Sequence, residues 1–331
     1  MKDKIKQLCE SYGLGSLIEE PVMVTGGLMH KMYHVITDLG EYAVKVLNPD
    51  IMRRPEAMQN MINSELVSNR LQSRIPVVAA KEFSGKHIIE YAGFYYMVFE
   101  WLDGKSVFVP EISEYHCEQI GKILGKIHAA DITIDGMEPS REIRSVYGWQ
   151  GFLEEAEKQQ SECACVMREN LEMLCRMDQA VIESANELAG TRVISHCDLD
   201  PKNVMWSHEQ PYIIDWEAAG YVNPYQELIE VLNYWIVDEA GKHDKKKFDA
   251  LVDAYTEKMD IGKVNWVAVL NCSFDGMLGW LAYNMKRALG LEGTGDNDRL
   301  EGMQQVTGTI LELKKQESQI SQLKDWLNQK I

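Results

Sequence analysis

The sequence lacks the paired cysteines of a disulfide framework or a zinc site. Its seven cysteines are odd in number and scattered, without a Cys-x-x-Cys pair. Cys163 and Cys165 are close together, but no matching His or Cys pair follows them, so their spacing does not favour structural zinc. The pattern predicts reduced thiols and therefore a cytoplasmic protein.

Basic residues are also scarce. The chain has 34 Lys and Arg against 51 Asp and Glu, which gives a formal net charge of -17. A general nucleic-acid-binding protein needs a basic surface to meet the phosphates, so we expect no nucleic-acid partner.

Long apolar runs and low-complexity segments are missing as well. The N-terminal residues contain no apolar signal core, and the most apolar stretch, 266–283, is interrupted by Asn271, Ser273 and Asp275. A bilayer would penalise these side chains, so we expect a soluble protein without a membrane partner. The content of 45% hydrophobic and 26% charged residues is that of a globular protein, and the length of 331 residues predicts two domains or one two-lobed domain.

The N-terminal third of the chain predicts a small β-sheet with one main helix. A first helix is expected over 1–19, before Pro21. The segments PVMVTGG, KMYHVIT and EYAVKVL then form an antiparallel meander of strands separated by glycine turns. Apolar spacing predicts the main helix over 55–73, after which KHIIEY and FYYMVFEW return to strand character.

After Pro110 the sequence changes to long amphipathic helices, and only VISH and PYIIDW have strand character. The helices are predicted over 112–129, 149–160, 165–189, 225–237, 244–259, 265–290 and 299–327. The predicted fold class is therefore α+β. A small antiparallel sheet lobe with one main helix spans 1–101, and a larger helical lobe spans 102–331. Binding sites prefer such interfaces between lobes.

The strongest functional signal is HCDLDPKN at 196–203, which fits the H-x-D-L-x-x-x-N catalytic loop of kinases, with Asp215 following at the end of an apolar strand. In phosphoryl transfer a carboxylate accepts the proton of the acceptor hydroxyl, and oxygen ligands hold the magnesium that neutralises the phosphates. Asp198 suits the base, and Asn203 with Asp215 suits the metal. A lone Asp here would be an ordinary Asx turn, but the joint pattern favours catalysis.

A kinase also needs a Lys on its third strand and a Glu on the following helix. Lys45 lies in the alternating strand YAVKVL, and Glu65 lies in the predicted helix. The Lys would contact the α- and β-phosphates, and the Glu would hold the Lys in place. Taken alone, such a Lys is more often part of a solvated strand face.

These motifs resemble those of the aminoglycoside phosphotransferase and choline kinase superfamily of small-molecule kinases. The resemblance covers 20–290 and is strongest in ISHCDLDPKNVMW and YIIDWEAAG. It implies a two-lobed, protein-kinase-like fold that binds ATP or GTP with Mg²⁺. Asp-Trp-Glu replaces the Asp-Phe-Gly of protein kinases, and no Ala-Pro-Glu or activation loop follows, so protein substrates are not expected.

The segment GGLMHKMY is similar to the superfamily's phosphate-covering hairpin, written G-G-x-x-N-x-x-Y, with His30 where Asn is usual. The resemblance implies that Gly26 and Gly27 bind the phosphates. It gives no side-chain role for position 30, where the residue type departs from the family pattern.

The segment VFEWLDG resembles the hinge of these kinases. The resemblance implies that adenine meets the backbone carbonyl of Glu100 and the backbone amide of Leu102, with Phe99 behind the base. The alternative is an ordinary linker with an apolar anchor.

Acceptor sites in this superfamily lie between the catalytic loop and the late helices. The candidate acceptor residues are aromatic and acidic: Asp200, Glu217, Trp235, Asp238, Asp275, Trp280 and Tyr283. Aromatic faces beside carboxylates suit an ammonium group, since each cation–π contact contributes roughly 0.5 to 2 kcal/mol. For each residue the alternative is a helix core with polar edges.

The sequence therefore predicts a kinase that transfers the γ-phosphoryl group of ATP or GTP to a hydroxyl of a small molecule. An aminoglycoside-like or other amine-bearing, cationic acceptor is favoured. Two alternatives remain open. One is a choline- or ethanolamine-type kinase, and the other is a nucleotide-binding protein without catalysis. The oligomeric state is not predicted.

Overall fold

The computed structural model describes the chain except 25–29, 140–143 and 293–294. The chain divides into two compact units. The first unit is Met1–Glu138 with Val193–Tyr221, and the second unit is Pro139–Arg192 with Val222–Ile331. The N-terminal sheet and the catalytic motifs thus share the first unit, whereas the predicted boundary after residue 101 assigns them to different lobes.

The described chain contains helices and strands in a mixed order. The strands are β1 (Val22–Val24), β2 (Lys31–Thr37), β3 (Gly40–Val46), β4 (Ile89–Tyr91), β5 (Phe94–Glu100), β6 (Val193–Ser195), β7 (Val204–Ser207), β8 (Gln210–Ile213) and β9 (Gly220–Val222). The helices are α1 (Lys2–Ser11), α2 (Pro49–Met52), α3 (Ala57–Leu71), α4 (Glu114–His128), α5 (Trp149–Lys158), α6 (Cys163–Leu188), α7 (Pro224–Trp235), α8 (Lys245–Thr256), α9 (Trp266–Cys272), α10 (Asp275–Ala288) and α11 (Asp296–Asn328). Short 3-10 turns cover Pro201–Asn203 and Trp216–Ala218.

The N-terminal strands form one antiparallel sheet in the order β1-β2-β3-β5-β4, which confirms the predicted fold class. Side chains alternate between its two faces. On one face Tyr42 and Val44 of β3 pack with Ile5 and Leu8 of α1 in a buried cluster. The other face therefore carries Lys45.

That second face carries residues that were predicted to bind the nucleotide. Lys45 lies opposite Met97 on β5, and Ala43 lies opposite Phe99. Met97 is buried with Met61 of α3, and Phe99 packs against the same cluster. The register of two strands thus places the candidate lysine beside the candidate adenine wall on one sheet face.

The first helix is shorter than predicted. It ends at Ser11 instead of continuing to residue 19, because Gly13 and Gly15 take left-handed φ values of 70° and 100°. A Cβ at Gly15 would come within 2.9 Å of the Thr37 hydroxyl. Glycine is therefore required where the chain turns to run beside β2.

The helix predicted over 265–290 is two helices, α9 and α10. At the break the Ser273 hydroxyl donates to the Leu270 carbonyl at 2.7 Å. The Phe274 amide donates to the backbone carbonyl of Asn271 instead. A continuous helix would use the Leu270 carbonyl for the amide of Phe274, so the serine side chain replaces that backbone bond.

The second unit is helical, and a large buried cluster lies among four of its helices. Helices α5, α6, α10 and α11 contribute to it, with Trp149, Leu174, Leu278 and Ile310 among its members. No helix in the described ranges is long and apolar enough to cross a membrane. All seven cysteines are described, and none forms a disulfide bond.

Candidate active site

The loop after β6 is shaped by a buried histidine. His196 Nδ1 accepts the Asp198 amide at 3.2 Å, so its other nitrogen, Nε2, carries the proton and donates to the Ile214 carbonyl at 3.0 Å. Cys197 between them has a left-handed φ of 59°. Such conformations persist where the surroundings enforce them, and here they turn Asp198 out of the strand.

Asp198 and Asn203 are joined directly. The Asn203 side-chain amide donates to Asp198 Oδ2 at 2.9 Å and to the Asp198 carbonyl at 2.8 Å. Asn203 is buried, whereas the Asp198 side chain is 34% exposed. One carboxylate oxygen is thus fixed by the protein, while the group stays accessible to a hydroxyl from solution.

Two neighbours in this loop have structural contacts of their own. Asp200 was expected among the acceptor residues, but its Oδ1 accepts the Lys202 amide at 2.8 Å and caps the 3-10 turn. The Lys202 ammonium lies 3.3 Å from Asp198 Oδ2. The sequence motif did not single out Lys202, because that position is variable in the pattern.

The second motif meets the catalytic loop through the backbone. The Ile214 amide donates to the Asn203 carbonyl at 3.0 Å, which places Asp215 beside the loop. Asp215 has a left-handed φ of 58°. Its Oδ1 accepts from the Lys45 ammonium at 3.1 Å, so strand β3 and the loop after β8 converge on this carboxylate.

Lys45 is also bound by Glu217, which lies in the 3-10 turn that follows Asp215. The Lys45 side chain is only 10% exposed. Burial opposes its charge, but the carboxylates of Asp215 and Glu217 outweigh burial and raise the pKa of Lys45 above its ordinary value. Lys45 is therefore a cation held between two acids.

Glu65 differs from its predicted role. We expected it to hold Lys45, but Glu65 Oε2 accepts the Ala80 amide at 2.9 Å, and the described contacts include no Lys45–Glu65 ion pair. Burial raises the pKa of Glu65, and the Ala80 amide offsets this only in part. In this structure Glu65 ties α3 to the segment that follows it, and Lys45 acts on it only at longer range.

Glu217 was expected among the acceptor residues and instead contacts protein groups on two sides. Besides Lys45, its Oε2 lies 3.3 Å from Nε2 of the buried His30. Burial favours the neutral acid, but His30 and Lys45 together hold the pKa of Glu217 well below its usual range. Gly26 and Gly27, the predicted phosphate-loop glycines, lie outside the described residues.

The predicted hinge directs one carbonyl away from the sheet. The Trp101 amide donates to the backbone carbonyl of Glu41, so Glu41 and Trp101 form a hydrogen-bonded pair of the antiparallel ladder. Such pairs alternate with non-hydrogen-bonded pairs, so the neighbouring pair of Tyr42 and Glu100 is non-hydrogen-bonded. The Glu100 carbonyl therefore points away from β3, as an adenine contact requires. The Leu102 amide remains a prediction.

The candidate acceptor residues of the second unit fall into two groups. Trp235 is fully buried at the end of α7, so its indole is part of the helical core and not exposed to a ligand. Asp238 lies beyond this helix, and its Oδ1 accepts the amides of Ala240 and Lys242. Trp235 is thus a core residue, whereas Asp238 uses one oxygen on its own turn and stays exposed.

The remaining three candidates share α10. Trp280 and Tyr283 are 46% and 40% exposed, with ring centroids 5.7 Å apart. Asp275, at the start of the helix, pairs with Arg144 at 2.6 Å and keeps 48% of its side chain exposed. Arg287 lies beyond Tyr283, with its guanidinium 5.7 Å from that ring. On α10, Trp280 and Tyr283 thus expose two neighbouring rings, whereas Arg287 is 12% exposed and pairs with Asp298 and Glu301.

Comparison with known proteins identifies the class. Residues 23–259 match the phosphotransferase enzyme family, and the chain belongs to that family. A homoserine kinase of Paraburkholderia phymatum is 25% identical over 262 residues, 74% of this chain and 75% of the relative.

Solved structures agree on the fold. A spectinomycin phosphotransferase, solved with ADP and spectinomycin, covers 93% of this chain and 94% of its own, with a TM-score of 0.64 and 14% identity. A choline kinase from Cryptosporidium parvum covers 99% of each chain, with a TM-score of 0.60 and 15% identity. The protein-kinase-like fold is confirmed. The protein is a phosphotransferase enzyme, a small-molecule kinase.

Proposed function

We propose that this kinase transfers the γ-phosphoryl group of ATP or GTP to a hydroxyl of a small, amine-bearing molecule. The observation that carries the proposal is the cluster of Asp198, Asn203, Asp215 and Lys45, joined by hydrogen bonds from three separate parts of the first unit. Phosphoryl transfer uses a base, metal-binding oxygens and a phosphate-binding cation, and this cluster supplies each.

Asp198 is the proposed general base. Its Oδ2 is held by Asn203, so the carboxylate keeps its orientation while it accepts the proton of the acceptor hydroxyl. Lys45 is the proposed contact to the α- and β-phosphates. Phe99 and the Glu100 carbonyl are the proposed adenine contacts, with Leu102.

The residues present fit a magnesium ion. The Asn203 amide nitrogen is used on Asp198, which leaves its carbonyl oxygen for another partner, and Asp215 is brought next to it by the Ile214 amide. The described residues contain no group of three or more His, Cys, Asp or Glu that could hold a metal alone. Two protein oxygens suit Mg²⁺, which keeps waters and binds phosphate oxygens. When bound, it would neutralise charge on the phosphates.

The acceptor class is supported by two observations. The acceptors named for the relatives, homoserine, spectinomycin and choline, all carry both a hydroxyl and an amine or ammonium group. In addition, α10 exposes two aromatic rings and a carboxylate, groups that bind ammonium. The net charge of -17 favours cationic ligands in the same direction.

The test is nucleotide consumption with matched acceptor pairs. Homoserine is compared with 4-hydroxybutyrate, choline with 3,3-dimethylbutanol, and ethanolamine with ethylene glycol. Spectinomycin and a set of aminoglycosides complete the panel, each with ATP and with GTP. We expect at least one amine-bearing acceptor to stimulate turnover and its neutral counterpart not to do so.

Two results would contradict the proposal. Equal turnover with amine-bearing and neutral members of a pair would remove the amine requirement. Tight nucleotide binding without acceptor-stimulated turnover, across the whole panel, would favour the non-catalytic alternative. Turnover with choline or ethanolamine alone would select the choline-type kinase.

A further inference from the structure

We infer that Glu217, rather than Glu65, positions Lys45, and that His30 holds Glu217 from its other side. This inference rests on the proposed function, because Lys45 acts on phosphates only in a nucleotide-binding enzyme. It assigns roles to two residues, one predicted as an acceptor contact and the other without a predicted role. Both are therefore positioning residues for the phosphate-binding lysine.

The two oxygens of Glu217 serve different partners. Oε1 contacts the Lys45 ammonium, and Oε2 lies 3.3 Å from His30 Nε2. All three side chains are shielded, with exposures of 10% for Lys45, 21% for Glu217 and 2% for His30. Shielded charge-assisted contacts are stronger than surface pairs. Glu65, by contrast, uses Oε2 on the Ala80 amide.

The histidine tautomer follows from its second contact. The Asn48 amide donates to His30 Nδ1 at 2.9 Å, so that nitrogen carries no proton. The ring proton is then on Nε2, a buried atom without a hydrogen-bond partner among the described residues, and Glu217 Oε2 lies 3.3 Å from it. His30 therefore presents a donor to the carboxylate.

This contact connects two parts of the candidate site. Asn48 lies two residues after the end of β3 and three residues after Lys45, and Glu217 lies two residues after Asp215. His30 thus links the end of the lysine strand to the turn that carries the proposed metal residue. Because Asp215 is proposed to serve the metal as well as Lys45, Glu217 is the carboxylate that stays with Lys45 when Asp215 has another partner.

The experiment compares Glu217→Gln, Glu65→Gln and a control, Glu41→Gln. Glu41 forms another His–Glu pair in the same unit, with His34 at 3.0 Å, but its side chain is 51% exposed. We expect Glu217→Gln to raise the KM for ATP about 10- to 100-fold, the range for losing a hydrogen bond to a charged group. Glu65→Gln should have a smaller effect, and Glu41→Gln should have none. The reverse ranking of Glu65→Gln and Glu217→Gln would overturn the inference.

The role of His30 is tested by a conservative and a disruptive variant. Gln offers an acceptor for the Asn48 amide and a donor for Glu217, whereas Phe keeps an aromatic ring but has neither a donor nor an acceptor. We expect His30→Phe to raise the KM for ATP about tenfold and His30→Gln to restore it to within about threefold. Since both act through one contact, His30→Phe with Glu217→Gln should be no worse than the worse single variant. Additive losses, or no rescue by Gln, would overturn the role of His30.

A measurement without turnover separates the inference from the proposed function. Lys45 labelling by an amine-reactive reagent is followed by mass spectrometry in the folded variants, with thermal melting as the check on folding. We expect faster labelling in Glu217→Gln and His30→Phe than in Glu65→Gln. Labelling that rises in Glu65→Gln alone, or in none, overturns the inference even if the enzyme is active.

If no acceptor is phosphorylated, the proposed function fails while the labelling result still stands. If Glu217→Gln does not fold, His30→Phe and His30→Gln decide the outcome.

Discussion

In the first unit, four candidate residues are linked to one another. Asn203 binds Asp198, Ile214 connects Asn203 to Asp215, and Asp215 binds Lys45. In the second unit, the candidates make separate contacts: Asp238 caps its own turn, Trp235 fills a core, and Trp280 and Tyr283 are exposed on α10. A connected cluster fixes relative positions, and chemistry that transfers a phosphoryl group needs them fixed. Isolated exposed side chains suit a binding surface that can vary with the ligand.

The largest effect is expected at Asp198, the proposed general base. Asp198→Asn keeps the shape that Asn203 contacts but removes the basicity, so turnover should fall by about 10²- to 10⁴-fold with nucleotide affinity nearly unchanged. Steady-state kinetics with saturating substrates and a titration with ADP provide the measurement. Turnover within about threefold of wild type would mean that Asp198 is not the base.

A second strong effect is expected at Asp215. Asp215→Ala removes a proposed metal oxygen and a partner of Lys45 together, so magnesium-nucleotide affinity and turnover should both fall, by at least about tenfold. Calorimetric titration with and without Mg²⁺ separates the two losses. Unchanged affinity in the presence of Mg²⁺ would remove Asp215 from the metal site.

Part of this geometry was predictable from sequence and part was not. Residues of the HCDLDPKN segment lie within eight positions, and a single loop with one 3-10 turn brings Asp198 to Asn203. The Lys45–Glu217 contact spans 172 positions, so no local pattern indicates it, and the protein-kinase template favoured Glu65 instead. Hairpin β7-β8 was missed because its turn uses His208 and Glu209 with positive φ rather than glycine or asparagine.

In the second unit, the sequence predicts where helices lie but not where one helix breaks. Apolar spacing located α5, α6 and α11 correctly, since burial of one face dictates the period. The break between α9 and α10 depends on one hydroxyl, that of Ser273, and no period reveals it. Periodicity also gives no distinction between Trp235 in a core and Trp280 at a surface.

Two tryptophans of the second unit sharpen the comparison. Trp235→Ala should lower the free energy of unfolding by about 3 to 5 kcal/mol, because it empties a fully buried site. Trp280→Ala should change it by less than about 1 kcal/mol and instead raise the acceptor KM by about 2- to 30-fold, the range of a cation–π contact. Urea unfolding and acceptor titrations measure both. Unchanged acceptor KM in Trp280→Ala would assign the α10 stripe to another role.

Smaller effects are expected for the exposed carboxylates. Asp275→Asn and Asp238→Asn should raise the KM of a cationic acceptor by up to about fivefold and leave the KM for ATP unchanged, because exposed charge pairs contribute roughly 0 to 1 kcal/mol. Added salt should weaken acceptor binding in the wild type and less so in the variants. An acceptor affinity that ignores both substitutions and salt would rule out charge-based capture.

The smallest expected effect is that of Glu65 on the pH dependence of folding stability. Burial raises the pKa of Glu65 in the folded protein, so the unfolded chain releases this proton first as pH rises, and folding stability falls until the folded group also ionises. Glu65→Gln removes that loss, so its stability relative to wild type should increase from about pH 4 towards pH 7. Urea unfolding across this range tests the sign. If the stability advantage of Glu65→Gln over wild type shrinks as pH rises, burial does not raise the pKa of Glu65.

The most direct test is the identity of the product. Wild type and Asp198→Asn are incubated with magnesium, nucleotide and the acceptor that stimulates turnover most, and the mixture is followed by phosphorus NMR. We expect a phosphate monoester of the amine-bearing acceptor to accumulate with wild type in step with nucleoside diphosphate, and only slowly with Asp198→Asn. Nucleotide hydrolysis to free phosphate without a phosphorylated acceptor, or equal ester formation by both proteins, would contradict the account.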